Sequence, residues 1–516
     1  MLPRGTILLA AAIASTAVGR VGADGFGGGH KPALTPAPLT VEAESPEQAR
    51  ELLLARLNAE LAAAAEAKDL PKAERALVSL AKLQPAAWQP RFNLASVRAR
   101  MGIAKRAEAI AAMHEALALG FDDAQRLTDE PAFAELRSDE QITAFLAEPE
   151  ALLVAQRDAR VKRAQARFGG KLSVQTNDAL RVVVLYAPSI PQPVRDDASE
   201  QLRLTALFWA STLRTGREAG KFAPPWVLVV VPPREKFDRW AAEVTGARAG
   251  SLAGLYDHDS RELVTRDVGS TLRHEFAHVL HHREMMAWRQ QHPIWIQEGL
   301  CALLEDISVV RKEGEPEKVV PLPSWRTNTV QRMATIGNLP PLAELLAMQH
   351  GKFVSERTLA NYGTARGVFL FLYQRGWLGE WYAAYTDGLS DAAGLGDATG
   401  RAALERVSGK PLADLEREFR KWARELPRVA EAGSAARSLG VDLEQAPDGL
   451  VVSGLDVTEV RAGGFLPFDV VQQIGAVKVR DGNELAAALE GKPIGEVVAV
   501  LVKRQRQSVT LKITLQ

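Results

Sequence analysis

Four histidines and a glutamate crowd into eleven residues at Leu272–His282, LRHEFAHVLHH. Imidazole nitrogens bind transition metals and a carboxylate beside them can move a proton, so the stretch could build a hydrolytic metal centre. Between Thr271 and His282 there is neither glycine nor proline, and Leu272, Phe276, Ala277 and Leu280 supply apolar spacing, which predicts a helix. On that helix His274 and His278 stand one turn apart and share a face. HEFAH is therefore an H-E-x-x-H pattern, in which two neutral imidazoles take two tetrahedral positions of zinc. Glu275 lies about 100° round the helix from His274, so its carboxylate can point at a water on the metal instead of at the metal. Zinc lowers the pKa of such a water towards about 7, and Glu275 is the general base that takes its proton and passes it to the leaving amine.

His281 and His282 compete for the same role. At a rise of 1.5 Å per residue, His281 lies about 10 Å along the helix from His274, too far to share one ion with it. His278 and His282 have ligand spacing, but the base position between them is Val279. The HEFAH register is preferred, and His281 and His282 are expected as helix-end histidines suited to the negative end of the dipole, with a role behind the ligands as the alternative.

A catalytic zinc needs a third protein ligand and an open position. Downstream, HPIWIQEGLCALLED predicts a helix after Pro293 that carries Glu298. H-E-x-x-H followed at this distance by W-x-x-E-G resembles the gluzincin metallopeptidases, the thermolysin-like superfamily, and within it the compact peptidase MA-like domains of bacterial exported proteins. The resemblance covers roughly 180–426, and its specific part is His274, Glu275, His278, Trp295, Glu298 and Gly299. It implies one catalytic Zn2+ held by His274, His278 and Glu298, with Glu275 as base and proton shuttle. The thermolysin pattern has an aspartate four residues beyond the third ligand, where Ala302 stands here, and Glu305 is the candidate to orient a ligand histidine instead. Relatives place a tyrosine or histidine from a later helix on the oxyanion; Tyr362 in ANYGTARGVFLFLYQRG is that candidate, with Arg366 one turn on as the alternative. Tyr256 is expected to face the cleft, Asp257, His258 and Asp259 to form a polar turn between strands, and Cys301 to be a small core residue.

These residues need a framework. The 516 residues suggest about three domains. Basic and acidic residues balance at 63 each, so no overall field selects nucleic acid or an anionic membrane. MLPRGTILLAAAIASTAVGRVGA, residues 1–23, has the basic start, short apolar run and small-residue end of a Sec signal peptide. Residues 24–45, rich in glycine and proline, predict a flexible linker. The protein is expected to be exported, periplasmic or secreted, with a membrane anchor as the alternative if the signal is retained and no other membrane span. The single cysteine leaves no internal disulfide to staple the folds.

Residues 46–149 are Ala- and Leu-rich with helical spacing, and KAERAL at 72–77 returns as RAEAIA at 106–111. The shift matches the tetratricopeptide period, so the segment resembles TPR repeats, with a plain helical stack as the alternative. Residues 150–179 predict a connecting helix and linker. The region 180–430 opens on β-branched runs, LRVVVLYAP and PWVLVVVPP, separated by a helical segment, and continues with a hairpin around DHDS before the histidine helix. Residues 434–516 alternate short strands around one helix and resemble a PDZ domain, with Leu439, Gly440 and Val441 at the carboxylate loop and 483–489 walling the groove. Phe468 and Ala476 stand where the family commonly has glycine.

The expected fold class is thus multidomain: α-helical TPR-like repeats, an α+β zincin-type metallopeptidase domain and a small β-rich PDZ-like domain. The expected function is an exported zinc metallopeptidase acting on a peptide or protein substrate, with a C-terminal peptide at the PDZ-like groove and a protein partner at the repeats. The alternative is a non-catalytic peptide-binding scaffold on the same fold. Glu275 separates the two, since a closed structural zinc site has no use for a base.

Overall fold

The computed structural model describes residues 46–213, 221–245, 252–389, 397–429, 439–446, 449–455, 464–465, 469–489, 491–493, 495–504 and 507–515. The expected signal peptide and linker and Phe468 lie outside them. The chain divides into two compact units, residues 1–163 with 219–226, and 164–218 with 227–516.

The first unit is helical: α1 (Pro46–Glu66), α2 (Leu70–Leu83), α3 (Gln89–Arg100), α4 (Arg106–Ala118), α5 (Ala124–Asp129), α6 (Glu140–Ala147) and the start of α7 (Pro149–Phe168). Local chemistry starts several of them. Asp69, Asp123 and Asp139 each accept a first-turn backbone N–H at the head of α2, α5 and α6, satisfying donors that the helix leaves unpaired. The first four helices pack each against the next. Ala73, Ala95, Ala109 and Ala116 are fully buried where they meet, so small side chains allow close helix approach. KAERAL falls within α2 and RAEAIA opens α4. Phe92 anchors the core, its ring 4.5 Å from Phe121 and 5.3 Å from Phe133.

The second unit opens with a five-stranded sheet in the order β1-β2-β3-β5-β4. Its strands are β1 (Ser173–Asn177), β2 (Val182–Tyr186), β3 (Val227–Val231), β4 (Gly254–Asp257) and β5 (Glu262–Thr265). The pairs β2–β3 and β3–β5 are parallel, whereas β1 and β4 are antiparallel edges. VVVLY and VLVVV are buried along their whole length, as parallel strands covered on both faces require. Helix α8 (Gln192–Phe208), which continues as a π turn through Trp209–Leu213, lies between β2 and β3 in sequence, and α9 (Arg234–Thr245) follows β3. The hairpin β4–β5 is the one expected around DHDS.

Helix α10 (Ser270–Trp288) carries the histidine stretch and packs Leu272, Phe276 and Val279 into the sheet core with Leu202 of α8. Then come α11 (Ile294–Leu303), the two-stranded ribbon β6 (Ile307–Val310) and β7 (Lys318–Pro321), and α12 (Trp325–Thr335). Further helices are α13 (Leu342–Leu346), α14 (His350–Ser355), α15 (Thr358–Gln374), α16 (Leu378–Leu389), α17 (Arg401–Ser408) and α18 (Leu412–Glu425). Their shared core is built on Trp295, Phe369, Trp381 and Tyr385, with Trp295 stacked on Phe369 at 5.3 Å. Gly299 permits that approach: a Cβ there would fall 2.6 Å from the Phe369 ring and 3.0 Å from the Ala365 backbone. The glycine after Glu298 thus has a packing cause.

The C-terminal strands β8 (Val441–Ala446), β9 (Gly449–Leu455), β10 (Val470–Ile474), β11 (Val477–Lys478), β12 (Val497–Arg504) and β13 (Gln507–Thr514) form one sheet. Its order is β13-β12-β10-β9-β8, with β11 on β10, and α19 (Gly482–Leu489) lies between β11 and β12 in sequence. This segment has its own core, including Val452, Ile474, Leu485, Val500 and Leu511. The protein is therefore mixed, mainly helical with several small sheets. Among the described residues no helix is long and apolar enough to cross a membrane.

Candidate metal centre

Three side chains from two helices converge. His274 Nε2 lies 3.2 Å from His278 Nε2 and 3.4 Å from Glu298 Oε2, and His278 Nε2 is 3.5 Å from the same oxygen. The two histidines come from successive turns of α10 and Glu298 from α11, and these helices pack against each other. Ligand atoms bound at about 2.05 Å with tetrahedral angles are about 3.3 Å apart, so the triangle fits one zinc ion. Among the described residues, this is the group of His, Cys, Asp and Glu side chains close enough to share a metal.

The orientation of His274 is set from behind. Its Nδ1 is 2.9 Å from Glu305 Oε1; an N–H donated there leaves the Nε2 lone pair facing Glu298 and His278. Glu305 is in turn gripped by Arg326, with Nε 2.6 Å from Oε2 and Nη2 2.9 Å from Oε1. Burial disfavours the charged form of Glu305, yet the Arg326 guanidinium and His274 outweigh it and hold the carboxyl well below the usual range. Glu298 behaves likewise: burial opposes its charge, and His278 and His274 hold its pKa far down. Burial alone would lower the pKa of His274, but the carboxylates of Glu298 and Glu305 raise it to about 10 in the metal-free centre.

Glu275 stays outside the triangle. Its Oε2 accepts the backbone N–H of Tyr256 at 2.9 Å, and Tyr256 belongs to β4, the strand that ends the sheet. The strand and helix touch closely here, since a Cβ on Gly254 would come within 2.7 Å of Thr271 and 3.2 Å of the Glu275 side chain. An ionisable carboxylate thus sits beside the ligand triangle at the outer edge of the sheet.

Tyr362 lies in the first turns of α15, its ring 5.0 Å from Phe353 and 5.5 Å from the Arg326 guanidinium carbon. Burial, reinforced by the charge of Glu298, pushes its pKa well up, so the hydroxyl keeps its proton at neutral pH. Arg366 takes a different place from the oxyanion alternative. It is fully buried and donates to the carbonyls of Ala302 and, at 2.6 Å, of Leu322. Arg273 donates to the Leu304 carbonyl at 2.8 Å and to that of Glu305. Arg273 thus reaches two carbonyls just past the end of α11, whereas Arg366 joins the last turn of α11 to the residue after β7. Neither Arg273 nor Arg326 belongs to a motif, and nothing in the one-dimensional pattern marks them.

His281 and His282 are not helix-end groups. Arg283–Trp288 continues the helix before Arg289 ends it in the left-handed region at φ 54°. His281 is buried with its Nε2 2.7 Å from His292 Nδ1, and burial lowers both residues, His292 to about 3. They form a neutral pair joining α10 to the loop before α11, so the dipole has no charge there to favour. The His282 ring is 4.8 Å from His258, and burial depresses it too. Asp257 accepts the Asp259 N–H at 3.0 Å and the Ser260 hydroxyl at 2.9 Å, the bonding of a polar turn. Cys301 is fully buried in the helical core.

In the C-terminal segment Gly440 is left-handed at φ 70°, while Leu439 and Val441 on either side are buried.

No protein-family model and no curated protein matches this sequence. Among solved structures, one of an aminopeptidase N family protein from Idiomarina loihiensis is similar at 12% identity and a TM-score of 0.27, over 67% of this chain and 67% of that one.

Proposed function

We propose that the protein is an exported zinc-dependent metallopeptidase of gluzincin type that hydrolyses peptide bonds, with Glu275 as general base. One observation carries this: a ligand triangle of 3.2–3.5 Å edges formed by His274, His278 and Glu298, with the carboxylate of Glu275 beside it and outside it. Zinc bound there would supply a Lewis acid and lower the pKa of a water to about 7. Glu275 would then take a proton from the attacking water and deliver it to the leaving amine. Tyr362 would donate a hydrogen bond to the oxygen on which charge develops. The edge strand β4 favours a peptide over a small ester, because an extended backbone pairs with such an edge.

Residues 46–149 act as TPR-like repeats for a protein partner, and 434–516 as a PDZ-like domain. The support for the latter is β8 at the end of its sheet, behind the left-handed Gly440; a C-terminal peptide would add there as a strand and be held by backbone N–H groups. Export is supported by the pattern of residues 1–23.

The deciding experiment measures metal content and peptide cleavage on the full chain. About one zinc per chain, with cleavage of a mixed peptide library that a chelator abolishes and zinc restores, is the expected result. Stoichiometric zinc without cleavage of any peptide would leave a binding scaffold in its place.

A further inference from the structure

The metal-centre geometry includes a contact that neither H-E-x-x-H nor the E-G helix announces. Glu305 has two carboxylate oxygens and three donors. His274 Nδ1 and Arg326 Nη2 share Oε1, each at 2.9 Å, and Arg326 Nε takes Oε2 at 2.6 Å. A two-point guanidinium fork fixes the plane of a carboxylate, which a single-point donor leaves free to rotate.

Arg326 is itself fixed. It lies in the first turn of α12, behind a capping box in which Ser324 accepts the Arg326 N–H and the Thr327 hydroxyl accepts the Ser324 N–H. Its guanidinium carbon sits 4.4 Å from the Trp325 ring and 5.5 Å from that of Tyr362. Further along the helix, Asn328 exchanges two hydrogen bonds with the Val429 backbone, at 2.7 and 3.0 Å. A rigid helix start therefore presents the fork to Glu305, and Glu305 presents one oxygen to the ligand histidine.

We infer that Arg326 is a positioning residue of the metal centre: through Glu305 it sets the ring plane and tautomer of His274, and so tunes zinc affinity. Resting on the zinc reading above, this extends it to a residue on a third helix, outside the ligand set. Groups that orient a ligand histidine change metal affinity by about 10- to 100-fold when removed.

The test is a chelator competition for zinc on the full chain and its variants Arg326→Met, Arg326→Lys, Glu305→Gln and the Arg326→Met/Glu305→Gln double. The visible spectrum of the Co2+-loaded proteins serves as a second readout. We expect Arg326→Met to weaken zinc binding about 10- to 100-fold and alter the cobalt spectrum. Arg326→Lys, a one-point donor, should fall between wild type and Arg326→Met. In the Glu305→Gln background the Arg326→Met change should cost less than about threefold, because the two-oxygen carboxylate that the fork grips is already gone. Unchanged affinity in Arg326→Met, or an equal loss with and without Glu305→Gln, would overturn the inference. If Arg326→Met does not fold, the decision passes to Arg326→Lys, where affinity equal to wild type counts against it and a loss approaching that of Glu305→Gln supports it. Zinc binding by wild type that Arg326→Met leaves intact sinks only this role; no zinc binding by wild type sinks the metal centre as well.

Discussion

Glu275 accepts the backbone N–H of Tyr256 at 2.9 Å, so the candidate base is tied to the edge strand rather than to the ligand triangle. Glutamine can accept the same hydrogen bond through its amide oxygen but cannot take a proton. Glu275→Gln should therefore keep its zinc and its fold while peptide hydrolysis falls about 10²- to 10⁴-fold. Metal analysis beside steady-state kinetics checks both halves; loss of the zinc instead would make Glu275 a ligand.

Zinc uptake should be linked to protons. In the metal-free centre Glu298 and Glu305 raise His274 to about 10 despite its burial, so at neutral pH the site holds a proton that zinc must expel. The apparent affinity should drop about tenfold for each unit of pH below about 10, at first. The sign for the metal-free fold is the reverse. A raised histidine pKa contributes stability fully below its ordinary 6.5, and that contribution fades as pH climbs through about 10. Titration calorimetry in buffers of different ionisation enthalpy should report roughly one proton released per zinc near pH 7.5. A buffer-independent enthalpy contradicts this.

Removing the Tyr362 hydroxyl should act on rate more than on binding. The ring of Tyr362→Phe keeps its contacts with Phe353 and Arg326, 5.0 and 5.5 Å away, while the donor is lost. A single oxyanion donor is worth about 10²- to 10³-fold in kcat. An unchanged kcat with a raised KM would assign Tyr362 to substrate binding alone.

Gly299→Ala tests the packing behind the third ligand. Its added methyl would meet the Phe369 ring at 2.6 Å and the Ala365 backbone at 3.0 Å, and an overpacked core typically costs about 1–3 kcal/mol. Because Glu298 is the preceding residue, any shift of α11 that relieves the clash also moves a ligand. Denaturant melts should show the loss of stability, and chelator competition a weaker zinc site. A variant as stable as wild type would mean that α11 and α15 can separate without cost.

Within the fold, β2 and β3 were legible because their β-branched runs are buried along their whole length, and the hairpin because DHDS breaks the alternation between two strands. Histidine roles were less legible. Helical geometry separates His274 and His278 from His281, since spacing along one element is a local property. The place of His281 was misread, because it depends on α10 running on to Trp288 and on His292 arriving from the following loop.

What the order of residues determined by itself is the content of single elements: two imidazoles one turn apart on α10, a carboxylate about 100° away, and a glutamate followed by glycine on α11. Periodicity and composition are enough for that, because an element's faces follow from its own sequence. Only the tertiary structure decided which groups from different elements meet. The 3.2–3.5 Å triangle, Glu305 behind His274, and Arg326 behind Glu305 join α10, α11 and α12. Arg273 and Arg366 reached the carbonyls of Leu304 and Leu322 for the same reason: which buried side chain meets which backbone group is settled by packing.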